Sequence, residues 1–588
     1  MTDHDIRDPA LRARAIRAAR GAEPFDVLIR GGTVVDAALG RLRAADVGLV
    51  GPLVASVHPP GARTDAAETV DATGLYVSPG LIDAHMHVES SMTTPRAYAE
   101  VVVPQGTTTV VWDPHEVGNV MGLAGVEWAV AASRGLPLRV LVLAPSCVPS
   151  APGLEVAGAE FDGGEVARLL AMPEVAGVAE VMDMRGVLET GGRMERIVDA
   201  GLASGKLVCG HARGLAGADL QAFAAAGIAS DHEITSGEDL VAKLEAGFTV
   251  ELRGSHDHLL PECVQALNAL PAIPQTLTLC TDDVFPDDLV HRGGMNDHLR
   301  RLVARGLDPV QALRAATLNA AMRLGRGDLG LVAPGRRADL ALWPDLSDFR
   351  PAMVFADGRL VARDGRLIET LRPDPVPLPA PTMHLPRMTA ADFRLDVPRA
   401  NGPIVLNTVD SARFTRWGRV EAEVRDGEVR LPDGYSLMAV VHRHGRRPAK
   451  PVVAPIGDWG TFSGCFATTV AHDSHNLVLF GRDPEDMAVA ANALTEAGGG
   501  MAVVKGGRVL ALLALPVCGL VSDRPAAETA AAFAAVRAAA DEVAEWKPPY
   551  RIFKAFVGAS LACNPGPHVT DVGLTDGLTG EIRPLVAV

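Results

Sequence analysis

The chain has no Cys-x-x-Cys pair, no apolar run long enough to cross a membrane and no surplus of basic residues. Each absence closes a class of function. The seven cysteines (147, 209, 263, 280, 465, 518 and 563) are odd in number and scattered. That pattern argues against a disulfide framework or a thiolate zinc site, and for buried free thiols in a reducing compartment. Residues 1–21, MTDHDIRDPALRARAIRAARG, lack the apolar core of a secretory leader, and their three Asp fit a transit peptide badly. They read as a surface helix within 1–24. The Ala-rich stretch 526–540 carries Glu528 and Arg537, with Asp541 just beyond, so it reads as an amphipathic helix. A net charge of −16 opposes a polyanionic partner, because binding nucleic acid needs a basic surface to displace counterions. The expectation is a cytoplasmic protein with a small neutral or cationic substrate and neither a nucleic-acid nor a membrane partner.

What the chain does have is length and a change of rhythm. Its 588 residues exceed what one core supports. Residues 25–80 read as short strands separated by turn residues. From 81 to 322, apolar runs of strand length alternate with helical segments, the form taken by βα units around a parallel sheet. Eight candidate strands can be counted: 81–87, 107–113, 138–145, 175–182, 206–211, 227–232, 247–252 and 275–282. Residues 323–370 return to short strands with Asp-Gly turns at 357–358 and 364–365, and with 25–80 they are expected to form one composite β-sandwich. A proline-rich linker over 371–389 precedes an α+β domain over 390–588, with helices expected near 484–497 and 525–545. The fold class is therefore α/β: a TIM (β/α)8 barrel flanked by a small β-sandwich built from both sides of it, plus a C-terminal α+β domain.

A TIM barrel keeps its chemistry at the C-terminal ends of its strands. Residues 81–92, LIDAHMHVESSM, put His85 and His87 on one face of the first strand, since alternate side chains share a face. Glu180 falls at the end of the fourth strand, His211 of the fifth, His232 of the sixth and Asp282 of the eighth. Taken singly, Glu180 reads as a strand-end charge, His211 and His232 as satisfied polar residues, and Asp282 as a helix N-cap. Six metal-competent residues on one rim instead make a set able to hold two divalent ions, with Glu180 placed to bridge them. Asp113, His115 and Glu116 follow the second strand onto the same rim. In the tail, 467–481 (ATTVAHDSHNLVLFG) gathers His472, Asp473, His475 and Asn476 before a strand, either as a hydrogen-bonded turn or as a loop capping the barrel mouth. His442 and His444 read as surface residues.

With SPGLIDAHMHVESS, AEVMDM, CGHARGL, SDHE and CTDD in view, the chain resembles the amidohydrolase superfamily. WDPHEVGNV (112–120) and TVAHDSHN (469–476) narrow the likeness to the bacterial adenine deaminases, from about residue 25 to the end. The resemblance implies hydrolytic deamination of adenine to hypoxanthine and ammonia. It also implies two metal ions, manganese or iron before zinc, bridged by a glutamate at the position of Glu180, and by analogy a homo-oligomer. The zinc nucleobase deaminases with H-x-E and P-C-x-x-C are a different design, and neither element is present here in working form. His211 is followed by Ala212, Arg213 and Gly214, so no Glu stands three residues on to protonate the ring. Asp282 is then expected to move the proton of the attacking water, with Glu89 the first choice for ring protonation and Glu116 the second. Ser90, Ser91, Asp113 and His115 are expected to contact the base, with Glu116, His472, Asp473 and His475. Two other readings compete: a cyclic amide hydrolase of hydantoinase or dihydroorotase type, and a non-catalytic scaffold, which would show gaps among the ligands.

Overall fold

The computed structural model describes residues 5–372, 376–412, 414–546 and 552–587. Eight strands lie in chain order with every neighbouring pair parallel: β1 (Leu81–Met86), β2 (Thr107–Trp112), β3 (Arg139–Ala144), β4 (Val175–Val181), β5 (Leu207–Gly210), β6 (Ser230–Asp231), β7 (Thr249–Arg253) and β8 (Leu277–Cys280). Helices pack outside them. This is the TIM barrel that the alternation of apolar and helical segments predicts. Its lumen is filled, as the fold requires. One layer is Val111, Leu143, Ala179 and Cys209 from β2 to β5. Deeper charge comes from Arg323, on the helix Ala320–Arg323, which pairs with Glu251 and donates to Ser230 Oγ at 2.8 Å.

Closure between β8 and β1 is not a full ladder. Asp282 N donates to the His85 carbonyl (3.1 Å), while the Asp83 carboxylate accepts from Thr281 N (2.9 Å) and Thr281 Oγ1 (2.5 Å). A side chain thus completes the seam. Burial pushes Asp83 up to about 7, against the pull of those hydrogen bonds.

Two further sheets pack face to face beside the barrel. One has four strands, drawn from 25–71. The other has seven, and it interleaves Thr33–Asp36, Arg41–Ala44 and Tyr76–Pro79 with four strands between 340 and 367. Ile29, Val47 and Val70 of the first meet Val77, Leu340 and Phe355 of the second in one core. Chain segments from before and after the barrel therefore build one sandwich. The helix Pro9–Ala19, capped by Asp8, lays Ala18 on Phe25 and Leu28.

The tail centres on a nine-stranded, mainly antiparallel sheet running from Gly402 to Ala514. The helix Pro484–Ala497 covers one face. Phe466, Phe480 and Phe556 on the other face stack on one another, and their apolar core is continuous with that of the barrel. The helix Ala526–Val543 fastens the tail to the barrel through Arg537, which pairs with Asp287 at 2.9 Å and lies over Phe285 and Phe533. The described residues between 371 and 389 form neither helix nor strand, and residues 373–375 lie outside the described set. His384 N donates to the Arg443 carbonyl, which holds that stretch against the tail.

A buried charge network joins barrel to sandwich. Arg139, at the start of β3, donates to Asp339 (2.6 Å) and Asp357 (3.1 Å), and Arg337 also donates to Asp357 (3.0 Å). Removing one member of a buried ion network strands the others without water. Arg139→Ala should therefore cost about 3–5 kcal/mol of stability, read as a lowered urea midpoint. An unchanged midpoint would show that Arg337 alone neutralises both carboxylates.

Candidate active site

The strand ends converge on Glu180. The penultimate residue of β4, it is aimed by its own backbone: its N–H donates to Asp113 Oδ2 (3.3 Å) and its carbonyl accepts from Ser146 Oγ (2.5 Å). Its two carboxylate oxygens face different histidines. Oε1 lies 3.4 Å from His87 Nε2, 3.6 Å from His85 Nε2 and 3.6 Å from His115 Nδ1. Oε2 lies 2.5 Å from His211 Nδ1 and 3.3 Å from His232 Nε2. Asp282 closes the first group, with Oδ1 3.4 Å from His87 Nε2 and 3.9 Å from His85 Nε2. The left-handed backbone of Asp282 (φ 57°), a conformation Asp tolerates, turns its side chain back over the barrel axis.

Cations fit this donor set. All six side chains are buried, and His85 Nε2 and His211 Nε2 have no hydrogen-bond partner, a costly arrangement unless something else takes their lone pairs. His87 Nδ1 hydrogen-bonds the Asp113 carbonyl (2.9 Å), which places the proton there and leaves Nε2 as a lone pair facing the centre. Glu180 is held well below the carboxylate range, because His232, His211 and His85 outweigh the burial that pushes it up. Asp282 is likewise held low. Burial opposes, but Arg253 and His87 prevail.

The centre forms the floor of a cavity of about 120 Å³. Of the residues expected to contact substrate, Ser90, His115, His472 and Asp473 line it. The others stand behind the wall. Ser91 Oγ donates to the Val88 carbonyl (2.6 Å), Asp113 supports Glu180 and accepts from His115 N (3.1 Å), and His475 Nδ1 accepts from Ala471 N (3.1 Å). Glu89, the expected ring acid, is turned away: Oε2 accepts from Trp112 Nε1 (2.7 Å) and Oε1 from Val117 N (3.3 Å). Glu116 also lies outside the lining, and burial beside Glu89 pushes its carboxyl well above the usual range. The tail motif is both a turn and a cap, since His475 closes the turn while His472 and Asp473 reach the cavity. His442 and His444 are not surface residues. His442 is buried 3.3 Å from Asp571, and His444 is mostly enclosed with Nε2 2.7 Å from the Ser474 carbonyl, because other segments of the tail pack over the end of their strand.

Sequence reasoning missed a charged wall. Arg253, the last residue of β7, pairs with Glu233 and with Asp282 Oδ2 (3.0 Å), and Arg213 takes the other Glu233 oxygen at 2.7 Å. Two guanidiniums outweigh burial and hold Glu233 well below the carboxylate range. The available signal was position. Arg253 ends a strand that supplies no candidate ligand, and Glu233 directly follows His232. Asp283, Phe285 and Lys554 complete the wall. Among the described residues no helix is long and apolar enough to cross a membrane.

Comparison with known proteins agrees with the geometry. The amidohydrolase family matches residues 76–361, and the adenine deaminase C-terminal domain matches residues 412–581. Adenine deaminase 2 of Rhizobium meliloti (strain 1021) is 61% identical over 578 residues, which is 98% of this chain and 97% of the relative. Adenine deaminase of Serratia proteamaculans (strain 568) is 54% identical over 590 residues, 100% of this chain and 99% of the relative. That of Nitratidesulfovibrio vulgaris (Hildenborough) is 39% identical over 559 residues, covering 95% and 96% respectively.

Beneath the centre, Glu251 Oε2 lies 3.8 Å from His232 Nδ1, and neither atom has a hydrogen-bond partner. A metal-bound histidine commonly donates its second N–H to a carboxylate, and loss of that partner costs about 10–100-fold in affinity. Glu251→Gln should therefore lose metal to a chelator at roughly 10–100-fold lower competitor concentration, measured as metal retained per chain. Equal retention would mean that Glu251 serves Arg323 alone.

Proposed function

We propose a division of labour among these side chains from one premise: the chain belongs to the adenine deaminase family. The reaction is the hydrolytic deamination of adenine to hypoxanthine and ammonia. His85, His87 and Asp282 would hold one divalent cation and His211 and His232 a second, with Glu180 between them. Bound there, the cations would supply a water acidified enough to attack C6 near neutral pH. The observation that carries this reading is the division of Glu180, one oxygen toward each set of imidazoles. The all-nitrogen-and-oxygen donor set suits manganese or iron and also accepts zinc.

Asp282 moves the proton of the attacking water. Its Oδ2 is engaged by Ser255 Oγ (2.9 Å) and Arg253 (3.0 Å), so Oδ1 is the oxygen left toward the reacting centre. It takes the proton there and delivers it to the departing amine. Ser90, His115 and Asp473 position the base against the floor. Glu89 is left out of the proton path by its bonds to Trp112 and Val117. The same reading makes this a cytoplasmic enzyme of purine breakdown that works as a homo-oligomer. Six buried free cysteines support the reducing compartment.

Ammonia release from adenine, other 6-aminopurines and a panel of cyclic amides, with manganese, iron and zinc in turn, tests the reading. Adenine should be the preferred source, and ring opening of a cyclic amide without ammonia release from adenine would refute it. Asp282→Asn should lower kcat by about 10²–10⁴ while the protein stays folded. Near-normal turnover in that variant would take Asp282 out of the proton path.

A further inference from the structure

We propose that Asp231 and Lys243, a buried ion pair beneath the rim, are positioning residues for the second cation. They fix the two strand ends that carry His211 and His232, and without them that half of the centre weakens while the other half keeps its ion. The assignment rests on the reading above that these two histidines hold one cation and that His85, His87 and Asp282 hold the other.

The second pair of imidazoles needs such a support. β6 is only two residues long, and the ladders of β5 and β6 end at Gly210 and Asp231. His211 and His232 each lie one residue past the last rung, where no sheet pairing fixes them. Their rings are not held from outside the centre either. His211 Nδ1 faces Glu180 Oε2, itself part of the centre, at 2.5 Å, and His232 Nδ1 stands 3.8 Å from Glu251, too far to fix the ring alone. The first group differs, since His87 Nδ1 meets the Asp113 carbonyl and the His85 carbonyl accepts from Asp282 N.

Asp231 supplies what the ladder does not. Its Oδ1 accepts from Ala212 N at 2.7 Å and from Glu233 N at 3.3 Å, the peptide groups that directly follow His211 and His232. One oxygen thus ties both strand ends together. The two rings stand 5.5 Å apart and nearly perpendicular (81°), both toward Glu180 Oε2. Lys243 Nζ lies 2.7 Å from Asp231 Oδ2 and donates to the Glu233 carbonyl at 2.6 Å. It comes from the helix Gly237–Glu245, where Asp239, one turn earlier, lies 3.2 Å from Nζ. Asp231 and Lys243 are both fully buried, and a buried ammonium is rare unless paired. Neither residue lines the cavity, so their effect on the chemistry passes through the two histidines and through Glu233, which pairs with Arg213 and Arg253.

An amide cannot replace the carboxylate here. If the Asn oxygen stays on the two peptide N–H groups, its NH2 faces the ammonium, donor against donor; if the amide turns, the NH2 faces the peptide groups instead. One grip is lost either way.

The test titrates the manganese-loaded full-length protein with a chelator and follows the manganese retained per chain. The parent should hold two ions. In Asp231→Asn the release midpoint of one ion should fall about 10–100-fold in chelator concentration, while that of the other stays within a few-fold. Lys243→Gln keeps a donor for the Glu233 carbonyl but no charge for Asp231; it should act in the same direction, and it serves as the test if Asp231→Asn fails to fold. Arg139→Ala, weakened at the opposite end of the barrel, should hold both ions as the parent does, which separates positioning from loss of stability. Midpoints unchanged in both variants overturn the proposal. So does a fall of both midpoints together. A parent that holds only one ion per chain would instead count against the two-cation reading.

Discussion

The structure depends on how a buried carboxylate, Glu180, is kept charged. A lone anion at the axis of a dry barrel would cost many kcal/mol and would take up a proton instead. The imidazoles of His232, His211 and His85 against its two oxygens oppose that. The compensation is incomplete, however. Around the centre the carboxylates of Glu180, Asp282, Asp113 and Glu233 face only two guanidiniums, Arg253 and Arg213, while buried imidazole nitrogens remain without partners. An excess of negative charge beside unused lone pairs is a site built to be completed by cations. Stability and metal binding are then one electrostatic problem rather than two.

The same economy governs closure of the barrel. The seam between β1 and β8 is short of backbone ladder, and the contacts that hold it flank the proposed metal ligands. Asp282 N reaches the His85 carbonyl, and Asp83, two residues before His85, grips Thr281, one residue before Asp282. A slip of one residue at this seam would turn His85, His87 or Asp282 away from the axis, because strand side chains alternate. Register and site geometry are therefore set by the same few bonds. Arg139 and its two aspartates do comparable work at the opposite end, where they hold the barrel on the sandwich.

Much of this was legible in the sequence because it follows from local rules. Strand periodicity put His85 and His87 on one face, and the barrel rule put Glu180, His211, His232 and Asp282 on one rim; neither step needs a long-range contact. What escaped was side-chain direction after a strand ends. Glu89 keeps the parity of His85 and His87, but the chain enters a 3-10 turn at that residue, and parity no longer holds. Its carboxylate swings to Trp112, a partner 23 residues away that no spacing argument reaches. Arg253 and Glu233 were overlooked for a related reason. Neither is a metal ligand, and their value lies in pairing with each other and with Asp282. His442 was misjudged because its partner, Asp571, belongs to the last sheet of the tail.

The tail domain also changes what the barrel residues are. Glu116, Ser90 and Asp283 all issue from barrel loops, and on an open rim they would be hydrated polar groups with ordinary acidity. Once Val470, Val557 and Leu561 of the tail line the cavity, less of it faces water and the charges in it interact more strongly. Burial then drives Glu116 well above the carboxylate range. His472 arrives with the same segment as Val470, so the apolar cover and the histidine come as one unit. A rim that acquires part of its cover from a neighbouring domain cannot be reduced to the barrel alone, however complete the set of donors at its floor.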